Sequence, residues 1–202
     1  MKRQRRETKF AIIAALLLAG VVGTGCDSSK SSFRTTALDE PVVADDFTLT
    51  DQHGNTFRLS DHKGKVVLLS FGYAFCPDIC PMTLSTWGKV KGLLKEKAKN
   101  VVFVFVTVDP ERDTHERLRD HLSIYDGDFI GLSGTLDELK PVYDSYGIYR
   151  ERVNISESAA GYLMNHTTRT YIIDPKGQWE LSFSPDTPAE DIAHDIQLLL
   201  GS

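Results

Sequence analysis

The sequence predicts one α/β domain, with a central mixed sheet flanked by helices, and three observations lead to it. Val66–Leu69 and Val101–Val108 are short, continuous apolar runs rich in β-branched residues, the pattern of strands buried on both faces. Helical spacing follows the first run, at Leu84, Trp87, Val90, Leu93 and Leu94. From about Val42 onward some 160 residues remain, enough for one domain with a sizeable core, and no internal repeat divides them.

Taken in order, residues 1–25 have the pattern of an export signal or membrane anchor. Lys2, Arg3, Arg5, Arg6 and Lys9 form a basic start, and Phe10–Val22 is an apolar stretch of 13 residues, short for a span of about 20. Gly23-Thr24-Gly25-Cys26 puts small residues before a cysteine, as in a bacterial lipoprotein signal, although an aliphatic residue is usual where Gly23 stands. Cys26 is therefore the candidate lipid attachment site; an uncleaved anchor and ordinary cleavage remain the alternatives. Arg5-Arg6 suggests a twin-arginine signal, but Thr8 breaks that pattern. Each route places the domain on the outer face of the bacterial cytoplasmic membrane or in the periplasm, tethered by its N-terminus.

Residues 26–41 are rich in Ser, Thr and Asp and read as a flexible tether. Without residues 1–25, Lys and Arg fall from 23 to 18 and Asp and Glu from 28 to 27, so net charge moves from -5 to -9. That acidity, with no basic stripe, argues against a nucleic-acid partner and favours a cation or a basic protein surface.

Within the domain, Phe47–Thr50 and Thr56–Leu59 alternate around Gln52-His53-Gly54-Asn55, predicting an N-terminal β-hairpin extension. After Val108, Asp113 is placed to cap the next helix, with Glu116 as the reciprocal half of a capping box. Asp109 ends a strand parallel to Val66–Leu69; a turn carboxylate and an outer-shell role near the site are both open. Phe129–Leu132 predicts a short strand and Thr135–Tyr146 a helix whose tyrosines face the core. Ile148–Val153 predicts an edge strand, and the polar, small residues 154–161 a mobile loop. Thr168–Ile173 and Trp179–Phe183 predict a second hairpin through Asp174-Pro175-Lys176-Gly177, and Pro188–Leu200 a terminal helix. His53, His62, His115, His121 and His194 read as surface or turn residues.

The chemistry centres on Cys76 and Cys80, delivered by the first buried strand to the start of a helix, where a thiol's pKa is lowered. The spacing is C-x-x-x-C. Residues four apart on a helix hold their Cβ atoms about 5–6 Å apart, and a disulfide needs roughly 3.5–4.5 Å. A metal held by two thiolates at about 2.3 Å each tolerates the wider gap. The spacing therefore favours metal, yet Pro77 and Pro81 suggest an irregular first turn that could bring Cys76 closer, so a disulfide stays open.

Three segments in order, FGYAFCPDICP at Phe71–Pro81, VDPERDT at Val108–Thr114 and YLMNHTTRTYIID at Tyr162–Asp174, closely resemble the Sco/SenC family of copper-binding assembly factors. The resemblance runs from about Phe47 to the C-terminus. It implies a thioredoxin-like fold over residues 42–202 and copper, Cu(I) or Cu(II), held by Cys76, Cys80 and His166. It also implies a role in maturing the copper centre of respiratory cytochrome c oxidase. The expected partners are the copper-acceptor subunit of that oxidase, a thiol reductant or a second copper chaperone, and the membrane through the N-terminus.

In thioredoxin-like folds the loop before the penultimate strand faces the cysteines and normally carries a cis-proline. Here no proline lies between Pro141 and Pro175, and Asn165-His166-Thr167 stands in that place. Two thiolates and an imidazole suit Cu(I), and imidazole beside thiolate also suits Cu(II). Met82 and Met164 read as rim or core residues. The other open reading is a thiol-disulfide oxidoreductase using Cys76 and Cys80 as a redox-active pair on a copper-acceptor protein. A peroxidase of the peroxiredoxin kind fits poorly, because Tyr73 stands where Thr or Ser is wanted three residues before Cys76.

Overall fold

The computed structural model describes residues 32–155 and 161–201. The export segment 1–25, the candidate lipid site Cys26 and most of the loop 154–161 lie outside the described residues. Among the described residues no helix is long and apolar enough to cross a membrane.

The core is the predicted pair of buried runs. Strand β4 (Val66–Gly72) and strand β5 (Val101–Thr107) are buried at all seven positions each and pair in parallel, Val66 opposite Val101. In chain order, β1 is Thr36–Val43, β2 Thr48–Asp51, β3 Thr56–Arg58, β6 Ile130–Ser133, β9 Thr170–Ile173 and β10 Gln178–Phe183. They complete an eight-stranded sheet in the order β1-β10-β9-β4-β5-β6-β2-β3. The β4–β5 and β5–β6 pairs are parallel and the rest antiparallel, so the sheet is mixed as expected.

Helix α1 (Ile79–Leu94) packs with α4 (Ala189–Leu199), and α2 (His115–Ser123) lies against β6. On one face Trp87 of α1 meets Phe103 and Phe129 at ring separations of 5.6 Å. On the other, Phe71 meets Tyr143 of α3 (Leu136–Ser145) as well as Tyr146 and Tyr171. Those tyrosines are core residues whose hydroxyls are taken by backbone carbonyls: Tyr143 donates to Thr107, Tyr146 to Asp45 and Tyr171 to Tyr146.

Three readings of the sequence change. Part of the supposed tether is strand β1, paired antiparallel with β10. Ahead of it, Arg34 and Thr35 donate their amides to the fully buried carboxylate of Asp195, and the Arg34 side chain pairs with Asp191 at 3.1 Å. The cap of α2 is Thr114, which accepts from the Arg117 amide at 3.2 Å; Asp113 is buried and serves elsewhere. The predicted edge strand is β7 (Arg150–Asn154). It pairs antiparallel with β8 (Tyr162–His166) in a separate two-stranded sheet, so His166 ends a strand rather than sitting in a loop.

Candidate metal centre

Strand β4 ends at Gly72, and Tyr73–Asp78 climb over the end of the sheet before α1 begins at Ile79. Cys76 therefore lies outside the helix, half-buried, and Cys80 lies in its first turn, buried; both thiols are free. The irregular turn expected from the prolines is present. Gly72 makes room for it. A Cβ there would lie 2.6 Å from the Phe105 ring and 2.7 Å from Cys80 Sγ, closer than atoms can approach.

The two thiols differ in state. A hydrogen bond from Cys80 holds Cys76 far below the usual thiol range, at about 3, against its burial; the amides of Cys80 and Asp78 add to the effect. Cys80 is pushed up, first by that same hydrogen bond and then by burial and the nearby Cys76 charge. One proton is thus shared, and it resides on the buried sulfur. Tyr73 is pushed up to about 12, chiefly by burial and also by the charges of Cys76 and Cys80.

His166 completes the group. Its Nε2 stands 3.9 Å from Cys80 Sγ, and its Nδ1 is 2.7 Å from the Thr167 carbonyl. A carbonyl only accepts, so in the neutral ring the proton sits on Nδ1 and the Nε2 lone pair faces the thiols. Fixing the tautomer through the remote nitrogen is how ligating histidines are oriented. The Tyr73 ring meets the His166 ring edge-on at 5.8 Å and holds its plane.

Among the described residues no three His, Cys, Asp or Glu side chains are already closed to coordinating distance. The spacing nevertheless fits an ion. With metal–sulfur bonds of about 2.3 Å and metal–nitrogen bonds of about 2.0 Å, two ligands at a trigonal angle stand about 3.7 Å apart. The structure thus brings Cys76, Cys80 and His166 together and leaves Cys26 untested. Met82 is on the rim and Met164 in the core.

Two carboxylates lie beneath the thiol loop: Asp113, which the sequence places as a helix cap, and Asp109, for which it leaves an outer-shell role open. Asp113 is fully buried and accepts from the Ala74 amide at 3.1 Å and from the Thr107 hydroxyl at 2.7 Å. Asp109 is also buried; it accepts from Tyr162 Oη at 2.8 Å and from Arg112 Nε at 2.5 Å. The sequence signal for Asp109 is its place at the end of a strand parallel to β4; for Asp113 it is membership of the Val108–Thr114 motif. His121, read as a surface residue, is half-buried between Phe105 and Tyr125, with an Nε2 that has no hydrogen-bond partner. His62 stacks on Phe57 at 4.7 Å, and His194 Nδ1 is 2.9 Å from Asp195; His53 and His115 are exposed as expected.

Asp113 gives a pH prediction. Burial raises its carboxyl to about 6, against hydrogen bonds from Thr107 and Ala74 that lower it. The unfolded value is about 3.9, so the fold prefers the protonated form. Its contribution is fully present below about pH 4 and is lost as pH rises through about 6. A difference of that size between the folded and unfolded chain corresponds to about 3 kcal/mol. Asp113→Asn should therefore unfold at higher denaturant than the parent at pH 8, by about 1–3 kcal/mol, with the gain gone at pH 4. A variant less stable than the parent at pH 8 would show that the hydrogen bonds outweigh burial.

Known proteins resemble this chain in sequence and fold. The sequence profile of the SCO1/SenC family matches residues 35–201. A SCO2-like protein of Rickettsia felis is 32% identical over 202 residues, covering 95% of this chain and 97% of its own. Among solved structures, Bradyrhizobium japonicum ScoI with copper bound is 34% identical, with a TM-score of 0.72, over 79% of this chain and 100% of that one. Apo Sco1 from Thermus thermophilus is 33% identical, with a TM-score of 0.75, over 84% and 98%. The shared fold is the thioredoxin-like one expected. With the profile running from the start of β1 to the end of α4 and taking in all three motif segments, the chain belongs to the SCO1/SenC family.

Proposed function

We propose that this chain is an exported, membrane-tethered copper metallochaperone. In this reading it holds copper through Cys76, Cys80 and His166 and passes it to the copper-acceptor subunit of a respiratory cytochrome c oxidase. The observation that carries the reading is the bare Nε2 of His166 facing Cys80 Sγ at 3.9 Å while Nδ1 is tied to the Thr167 carbonyl. Two soft thiolates and one imidazole suit Cu(I), and the nitrogen makes Cu(II) tenable as well. The low pKa of Cys76 favours its thiolate, so the proton on Cys80 is the harder of the two to displace on binding. The related Bradyrhizobium japonicum ScoI has been solved with copper bound, which supports copper as the ion. The apolar segment Phe10–Val22 and Cys26 supply the tether in this account, and a second copper chaperone or a thiol reductant supplies the site.

A second reading, a thiol-disulfide oxidoreductase acting on an acceptor's cysteines, is favoured by the asymmetry of the thiols. A half-buried thiolate at Cys76 beside a buried thiol at Cys80 matches an attacking and a resolving sulfur. His166→Ala separates the two. It leaves both sulfurs in place, so dithiol cycling continues under either reading. A metallochaperone loses stable Cu(II) binding and fails to support oxidase maturation in cells. An oxidoreductase matures the oxidase at near-normal levels, and that outcome, in a folded and exported variant, would end the copper-delivery reading.

A further inference from the structure

Among the described residues, the hairpin that carries His166 has no strand partner in the main sheet. Something else must set its distance from the thiols, and Arg112 is in contact with both sides. Toward the hairpin, Arg112 Nη1 donates to the Tyr162 carbonyl at 3.1 Å, and the guanidinium lies over the Tyr162 ring at 3.5 Å. The Tyr162 hydroxyl donates to Asp109, which also accepts from Arg112 Nε, closing a ring of three side chains. Toward the thiols, the same guanidinium is 4.8 Å from the ring of Phe75, the residue before Cys76, and 5.8 Å from that of Tyr73. Tyr162 and His166 are four apart on one strand, so they share a face of the hairpin.

We infer that Arg112 latches the histidine-bearing hairpin to the thiol loop and is thereby a positioning residue for His166. The task needs this side chain. A guanidinium is flat enough to lie on an aromatic ring while its fork reaches a carboxylate and a carbonyl; a lysine ammonium is a single point and cannot do both. Other contacts also support the hairpin: Arg150 Nε donates to the Val108 carbonyl at 2.9 Å, and the exposed Arg152–Glu111 pair stands at 3.1 Å. From the thiol loop the Tyr73 ring meets His166 edge-on and its hydroxyl accepts from the Met164 amide; Arg112 adds the fork that ties the far end of the same strand, at Tyr162, to Asp109.

The inference rests on the copper reading for only one of its two readouts. The first is amide hydrogen exchange in the metal-free chain. Arg112→Gln should speed exchange in β7 and β8 by about tenfold or more and leave β4, β5 and β9 unchanged; Arg112→Lys should not restore the parent rates. Tyr162→Phe, which removes only the hydroxyl bound to Asp109, should give a smaller change in the same strands. The second readout is the nitrogen coupling in the electron paramagnetic resonance spectrum of the Cu(II)-loaded chain. It should weaken in Arg112→Gln as it does in His166→Ala. The latch is overturned by unchanged hairpin exchange, by a speed-up spread evenly over the main sheet, or by full rescue with lysine. Faster hairpin exchange with unchanged nitrogen coupling overturns the positioning of His166. If the parent takes up no copper the copper reading fails, and hairpin exchange alone still decides the latch.

Discussion

Cys76→Ser and Cys80→Ser should each lower Cu(I) affinity by about a hundredfold or more. A hydroxyl is hard and stays protonated, whereas Cu(I) seeks a soft thiolate. Structural metal sites gain about 10–16 kcal/mol from four ligands, so one lost ligand costs about 3 kcal/mol, or about two decades. The two variants should differ in what remains. Cys80→Ser keeps a donor, its O–H, beside Cys76, so the surviving thiol should keep a low alkylation midpoint, whereas Cys80→Ala, which removes the donor, should shift that midpoint up in pH. Cys76→Ser leaves a buried thiol that is slow to react at any neutral pH. Competition with a Cu(I) chelator measures the affinity, and an alkylation rate profile measures the thiol. If either serine variant holds Cu(I) as tightly as the parent, the ligand assignment is wrong.

The second large effect is expected from a single methyl group at Gly72. An alanine Cβ would meet the Phe105 ring at 2.6 Å and Cys80 Sγ at 2.7 Å, so one of the two must move. Both sit in the packed core, where overpacking costs about 1–3 kcal/mol. Gly72→Ala should unfold at lower denaturant by that amount and bind copper more weakly, because Cys80 is displaced from His166. Adding Phe105→Leu vacates the ring but not the sulfur. The double variant should recover part of the stability while its copper affinity stays low. Recovery of both would place the conflict wholly on the ring, and recovery of neither would place it on the backbone.

The strands that deliver the site were legible because both of their faces are buried, so their sequences are apolar throughout. Cys76 and Cys80 were legible from chemistry, and His166 from a motif, since a lone histidine before a strand says little. What escaped the sequence lies where neighbours in space decide the outcome. Asp113 has the right spacing for a cap, yet the Ala74 amide and the Thr107 hydroxyl draw its carboxylate under the thiol loop. The β7–β8 pair has no run of buried residues on β7, where four of five positions are exposed, so its pairing leaves a weak trace in composition. His121 looks solvated on a polar helix, and packing against Phe105 and Tyr125 half-covers it.

Strand β1 was hidden for a related reason: it is exposed nearly throughout and contains Pro41. Proline and charge on an outermost strand are what keep sheets from adding a foreign strand, and Asp39, Glu40 and Pro41 provide both. This bears on where the chain can be cut. Starting the domain at Val42, where composition places its boundary, removes most of the strand that covers β10 and bares a backbone ladder beside Trp179 and Leu181. It also deprives Asp195 of the two amides that satisfy its buried carboxylate. A shortened form that keeps this edge covered has to retain Arg34 and the strand that follows it; one begun at Val42 carries an open edge that a second copy can fill.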